Sequence, residues 1–231
     1  MKALTRRVLA VLLFSSAALA GAQGSGSGSG AAAVPLADAG AWQQLHYRNR
    51  PPHKLRFSAS GLRLDVEGSA MPLIHPLPAK LRVAGVRVRG RIDGAFTVPP
   101  GKQGEEKFDD YVFRLGLVEP GERRLNFLQR QVAAEWVRRL YALAPEGTGI
   151  AGIRFLNVGA DPAHLGRERQ HPLSDLVTER VVALPAPDGR IDFSYRFERP
   201  IEAIAVWLSS DGDDTGARYG IDIESIELAF R

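Results

Sequence analysis

Apolar and polar residues alternate in short runs along most of the chain, and Gly and Pro separate the runs. In "GLRLDVEG" Leu62, Leu64 and Val66 share one face, with Arg63 and Asp65 on the other. That period of two is the mark of a half-buried strand. "LRVAGVRVRGRID" alternates twice, Leu81 and Val83 in one phase and Val86 and Val88 in the next, so the slip at Ala84-Gly85 predicts a bulge. "DDYVFRLGLVEPGE" aligns Tyr111, Phe113, Leu115 and Leu117 and predicts a turn at Pro120-Gly121. "RIDFSYRFERP" points Ile191, Phe193, Tyr195 and Phe197 inward and Asp192, Ser194, Arg196 and Glu198 outward. "IEAIAVWLSS" is apolar on both faces, as a buried central strand should be. "YGIDIESIELAF" closes the chain, with a second slip near Glu224-Ser225.

One segment has a longer period. "LQRQVAAEWVRRLYALAPEG" spaces Leu128, Val132, Trp136 and Leu140 four apart, and Val137 and Tyr141 widen the stripe. Gln129, Arg130, Glu135 and Arg138 lie off it, and Pro145 and Gly147 end it. The spacing predicts one amphipathic helix near 128–143, with a strand over "AEWVRRLY" as the alternative. Residues 159–175 show no period and read as loop. Many short strands, frequent turns and one helix predict a mainly β fold, an antiparallel two-sheet β-sandwich of jelly-roll type.

The first 35 residues depart from this pattern. Lys2, Arg6 and Arg7 precede the apolar run 8–20, and Ala18-Leu19-Ala20 and Ala20-Gly21-Ala22 have the small-x-small form of a signal-peptidase site. Residues 1–22 thus read as a secretory signal, too short in its apolar run for a membrane span of roughly 20 residues. Residues 23–35, rich in Gly and Ser, read as a flexible linker, and 36–231 as a single domain. The expected compartment is periplasmic or secreted, with no transmembrane anchor after cleavage. The chain has no Cys, which excludes thiol nucleophiles, thiolate metal sites and disulfides.

Charge narrows the partners. The chain carries 30 Lys+Arg and 26 Asp+Glu; without Lys2, Arg6 and Arg7 the balance is 27 against 26. That is not the electrostatic footprint of a nucleic-acid binder. Only five of the basic residues are Lys, and Arg suits planar recognition of carboxylates and stacking on rings.

Candidate chemistry is sparse. In "VWLSSDGDDTGARYGIDIE" Asp211, Asp213 and Asp214 crowd one loop, and Asp222 and Glu224 follow on the next strand. With carbonyls freed by Gly212 and Gly216, these offer hard oxygen ligands for calcium, which takes six to eight. Asp, Gly and Thr equally suit a plain turn, so the loop supports both readings. His164 and His171 flank "LGRERQ" ahead of Asp175, short of the three or four ligands of a zinc site; His46, His53 and His75 are scattered. The carboxylates of "EEKFDDY" (Glu105, Glu106, Asp109, Asp110) and Glu135 beside Trp136 are the clusters relevant to glycoside hydrolysis, which needs a pair ~5–10 Å apart. There is no GxSxG, P-loop, GxGxxG or HExxH, and "GTGIAG" precedes an apolar strand rather than opening a helix. Trp42, Trp136, Trp207 and Tyr219 suit either sugar stacking or the core.

The ordered runs "DDYVFRLGL", "AEWVRRL" and "AIAVWLSSDGDDTG…YGIDI" resemble a secreted bacterial family catalogued as a domain of unknown function. Asp109, Asp110, Tyr111, Trp136, Asp211, Asp213, Thr215, Gly216, Tyr219 and Gly220 carry the likeness. This chain departs from it at Ile221, which precedes the acid, and at the additional Gly212. The resemblance implies a galactose-binding-like, carbohydrate-module-like sandwich and brings no established activity.

The expectation is therefore an exported, non-catalytic sandwich that binds a glycan or another cell-envelope component. Its candidate ligand contacts are Asp109, Asp110, Trp136 and Tyr219, and its candidate calcium ligands are Asp211, Asp213, Asp214 and Asp222. The alternatives are an envelope-polysaccharide enzyme using carboxylates among Asp109, Asp110, Glu135 and Asp211, or a structural partner of another envelope protein.

Overall fold

The alternating runs become strands. The computed structural model describes residues 30–133, 135–172 and 174–230, without the side chains of Glu135 and Trp136. The expected signal segment, the first part of the expected linker and the Trp136 ring therefore lie outside the described residues. The strands are β1 (Gly30–Ala33), β2 (Gln43–Gln44), β3 (Lys54–Ser58), β4 (Gly61–Glu67), β5 (Leu73–Ala95), β6 (Phe113–Gly121), β7 (Gly149–Val158), β8 (Glu168–Gln170), β9 (Val177–Ala183), β10 (Arg190–Ser209) and β11 (Arg218–Phe230). Two short helices, α1 (Phe127–Val132) and α2 (Glu135–Tyr141), interrupt them.

All strands belong to one hydrogen-bonded path, β3-β4-β11-β5-β10-β6-β7-β9-β8, with β1 added to β11 and β2 to β5. The long strands β5 and β10 let this path fold into two layers. The 81–91 stretch of β5 and the 190–203 stretch of β10 pair beside β11. Past the register shift between Ala203 and Ala205, β10 pairs with β6 and with Leu73–Pro76 of β5. Strands that switch sheets at irregularities are how a sandwich makes its corners. The result is a mainly β, jelly-roll-like sandwich. The pairing is antiparallel except between β7 and β9.

Alternation selects the core. Leu62, Leu64 and Val66 meet Val86, Val88, Ile191, Phe193, Ile221 and Ile223 from one layer and Phe113, Leu115, Leu117 and Leu208 from the other. A second cluster covers the opposite face of the β10-β6-β7 layer, where Ile204, Trp207, Val118, Ile153 and Phe155 pack with Leu45 and Leu140. This explains the run apolar on both faces: Val206 and Leu208 serve one core, Ile204 and Trp207 the other. Both predicted bulges are present. Ala84 is skipped between Val83 and Gly85 in the pairings with β10 and β11, and Glu224 is skipped between Ile223 and Ser225.

Three expectations are corrected. Pro120-Gly121 is not a turn: after a shift at Glu119, β6 continues and pairs Gly121 with Gly149. Beyond Val118 it has only β7 as a neighbour, and an edge tolerates a residue without N–H. The helix over 128–143 is two helices, because Ala133 is extended (ψ 142°) at the C-cap of α1. The break lets Leu140 reach the second core while Leu128 and Val132 stay in solvent. Finally, the expected linker ends earlier than residue 35: Gly30–Ala33 pairs with β11 and Val34 is buried.

The β3–β4 hairpin gives a direct test. Gly61 has φ +124°, and a Cβ there would collide with the Ile223 carbonyl. Gly61→Ala is expected to destabilise the fold by about 2–4 kcal/mol, read from urea unfolding, because strain and collision add.

Candidate functional site

The ladder sets Ser209, Arg114 and Asn157 side by side on β10, β6 and β7. Here the face that carries Trp207 and Phe155 turns polar. Arg114 is buried, and every arm of its guanidinium is engaged. Nε donates to Asp211 Oδ2 at 2.5 Å, Nη1 to Glu179 Oε1, and Nη2 to the Asp109 carbonyl at 2.6 Å. The Tyr111 ring lies under it at 4.4 Å. Arg169 completes the cluster from β8, donating to Glu179 Oε2 (2.8 Å), Asp109 Oδ1 (2.5 Å) and the Gly104 carbonyl. His171 Nε2 lies 3.1 Å from Asp109 Oδ2.

The acidic loop leans on this cluster. Asp110 Oδ2 accepts from the Thr215 N–H at 2.7 Å and its hydroxyl at 2.6 Å, and Oδ1 accepts from the Asp214 N–H at 3.3 Å. The Tyr219 hydroxyl sits 3.0 Å from the Asp211 carbonyl and 3.2 Å from those of Tyr111 and Val112. Arg50 pairs with Asp213. Six of the eight candidate residues are thus brought together: Asp109, Asp110, Asp211, Asp213, Asp214 and Tyr219. Asp222 is apart, held with Asp65 and Asp93 around Arg63 at 2.6–2.8 Å. The four candidate calcium ligands therefore do not converge. Asp211, Asp213 and Asp222 each face a different guanidinium, whereas calcium needs its oxygens around one point.

Burial pushes the Asp211 carboxyl up to about 7; Arg114 opposes this, while Asp110 and Asp213 add to it. Burial also raises Asp110, against the Thr215 bonds, and Asp213, against Arg50. Asp109 goes the other way: burial would raise it, but the His171 hydrogen bond and the charges of Arg114 and Arg169 hold it below the usual range. Arg114 stays charged despite burial because Asp211, Glu179 and Asp109 surround it.

Asp109, His171 and Glu179 bring their ligand atoms within 4.8 Å of one another. They do not fit a metal, since Arg169 donates to both carboxylates and Arg114 to Glu179, and both guanidiniums would face the ion at close range. The adjoining cavity, lined by Gln103, Tyr111, His164, Arg169 and Glu179, measures about 60 Å³. That admits water rather than a sugar ring. A Ser–His pair lies near the acidic loop. His53 Nδ1 accepts from Ser69 Oγ at 2.7 Å while Nε2 donates to the Ser210 carbonyl at 2.7 Å, but both side chains are buried. They clamp the start of β3 to the acidic loop.

Sequence reasoning missed Arg114, Arg169 and Glu179. The signal for Arg114 was a lone charge between buried Phe113 and Leu115; Glu179 and Arg169 meet it only through the β8–β9 pairing. It also missed a trough across β1, β11, β5 and β10, of about 600 Å³. Ladder pairing sets Ala31, Ala229, Gly85 and Arg196 in one row, and Glu227, Arg87 and Ser194 in the next. Phe230 lies over Gly30, where a Cβ would come 2.6 Å from its ring.

No protein-family model and no curated protein matches the chain. Among solved structures, it is similar to the xylan-binding module CBM15 (TM-score 0.38, 9% identity, covering 88% of this chain and 97% of that one). It is also similar to CBM29_1, a family 29 carbohydrate-binding module from Piromyces equi (TM-score 0.34, 11% identity, 88% and 91%). A third is the exoplasmic/lumenal domain of VIP36 in its Ca2+- and mannose-bound form (TM-score 0.42, 12% identity, 86% and 88%).

Two outcomes follow from the site. Burial lowers His53 to about 4 from 6.5. Between those values the unfolded chain binds a proton that the fold refuses. This contribution to stability is therefore complete above pH 6.5 and lost by pH 4, a swing of about 3 kcal/mol. NMR titration of the imidazole should show the neutral Nε2–H form persisting below pH 5. Because guanidiniums already bind the loop carboxylates, the melting temperature should be the same within about a degree in chelator and in millimolar calcium.

Proposed function

We propose that the protein is an exported, non-catalytic module that binds a carboxylate-bearing glycan in the trough across β1, β11, β5 and β10. The observation that carries this reading is the lining of the trough. Its floor is made of small residues, Ala31, Ala229 and Gly85, and Phe230, Tyr195 and two arginines, Arg87 and Arg196, also line it. A floor of such small side chains lets a flat ring lie against the sheet, and an aromatic beside it offers the apolar face that sugar rings stack on. Arg196 pairs with no carboxylate among the described residues, and Arg87 approaches Asp192 only at 3.7 Å. Guanidiniums left this free suit planar, bidentate recognition of a carboxylate. Ser194 and Glu227 add hydroxyl partners. At about 600 Å³ and open along its length, the trough is of a size for sugar units.

The signal-like residues 1–22 and the resemblance to a secreted bacterial family support export. The polar cluster around Arg114 is read as structural. Its carboxylates are bound to guanidiniums, and its cavity is of water size.

Affinity electrophoresis in polygalacturonate, with a neutral xylan as comparison, tests the reading. Retardation should occur with the acidic polymer and weaken with salt. Phe230→Ala and Arg196→Ala should each lower affinity about tenfold with an unchanged melt. Equal mobility in both polymers, or retention unaffected by both substitutions, would sink it.

A further inference from the structure

We propose that α1 and the arginines that flank it form a docking surface for an anionic phospholipid membrane. Phe127 and Leu128 are each 74% exposed and Val132 86%. No residue of α1 is buried. The helix is held by its ends instead. Asn126 and Gln129 form a reciprocal capping box, and the Ala133 N–H donates to the Gln129 carbonyl. A six-residue helix gains little from propensity alone, so an apolar stripe on it this exposed suits a surface outside the protein.

Charge says which surface. Arg123, Arg124, Arg130, Arg138 and Arg139 fall within seventeen residues that contain a single acid, Glu135. The rest of the chain past residue 22 then carries 22 basic against 25 acidic residues, from 27 less 5 and 26 less 1. The cations bracket the stripe. Arg130 Nε donates to the Leu125 carbonyl just before α1, and Arg138 Nη1 donates to the Ala133 carbonyl just after it, at 2.6 Å. Arg124 has no ion pair among the described residues, and Arg123 pairs only with exposed Asp175.

A second copy of the chain would set five guanidiniums against five. A peptide ligand would want a groove, and α1 is an exposed helix. A lipid interface satisfies both halves of the pattern. Phe127, Leu128 and Val132 enter the acyl boundary while the arginine stems carry their charges up to the phosphates. Anionic lipid adds attraction that salt screens.

The described core residues run from Val34 to Leu228, so a chain starting at Gln23 keeps the fold while omitting the apolar residues 8–20. Its co-sedimentation with vesicles of phosphatidylglycerol and phosphatidylcholine is compared with pure phosphatidylcholine. Binding is expected to the anionic vesicles, at least tenfold weaker in 0.5 M salt. The exposed double substitution Leu128→Ser/Val132→Ser, and separately Arg124→Glu/Arg130→Glu, should each reduce it at least tenfold with an unchanged melt. Phe230→Ala, in the trough, should leave it intact, which separates this surface from the proposed glycan site. Equal binding to neutral vesicles, no binding to either, or a chain dimer that Leu128→Ser/Val132→Ser dissociates would each overturn the proposal.

Discussion

Arg114 is the charge around which one side of the sandwich is assembled. A buried guanidinium is unfavourable unless each N–H finds an acceptor and the charge finds partners. Those partners come from four places in the chain: Asp109 just before β6, Arg169 on β8 through shared carboxylates, Glu179 on β9, and Asp211 after β10. None of the acids would be tolerated at such burial without the guanidiniums, and the guanidiniums would not be tolerated without the acids. Removing Arg114 strands several carboxylates at once, which is why a network of this kind acts cooperatively. Its effect reaches the loop that follows β10. Asp211 is held from its side chain by Arg114 and from its carbonyl by Tyr219, and Asp110 is drawn in to cap Thr215.

This accounts for what the sequence could and could not reveal about the site. Asp109, Asp110 and Asp211 stand out because they sit in short acidic runs at strand ends, and Tyr219 as an aromatic, and the structure does gather them. The reason lies in Arg114, whose sequence context is an apolar strand. A charge there is legible only as an anomaly, and its partners are set by the parallel pairing of β7 with β9, which a period of two does not encode. The calcium reading failed for Asp222 on the same ground. Asp222 is close in sequence to the loop, but alternation along β11 carries it to Arg63.

The fold was more legible because it depends on local rules. A period of two names the buried face of each strand, and a slip in that period marks a bulge without any knowledge of the partner strand. Ala84 and Glu224 both behave this way. The helix was misjudged because its spacing was read as one continuous stripe. Periodicity says that apolar residues share a face, not what covers it. Leu140 meets the second core, Leu128 and Val132 do not, and the chain bends at Ala133 between the two environments.

The same bulge ties fold to function. Skipping Ala84 brings the β5 backbone close to β10, so that a Cβ on Gly85 would come within 2.7 Å of the Tyr195 carbonyl. A side chain is excluded there by the backbone, not by any ligand, and on one side its row continues with two alanines, Ala229 and Ala31. The trough floor is thus a by-product of the bulge at Ala84. Its walls are a different matter. Arg87, Arg196 and Phe230 make no evident contribution to either core that would demand those residue types, so their chemistry is free to answer to something bound. The Arg114 cluster shows the opposite balance: abundant charge, with its guanidiniums and carboxylates bound to one another. Of the two polar features, the one with fewer charges is the one whose guanidiniums are left with hydrogen bonds to give.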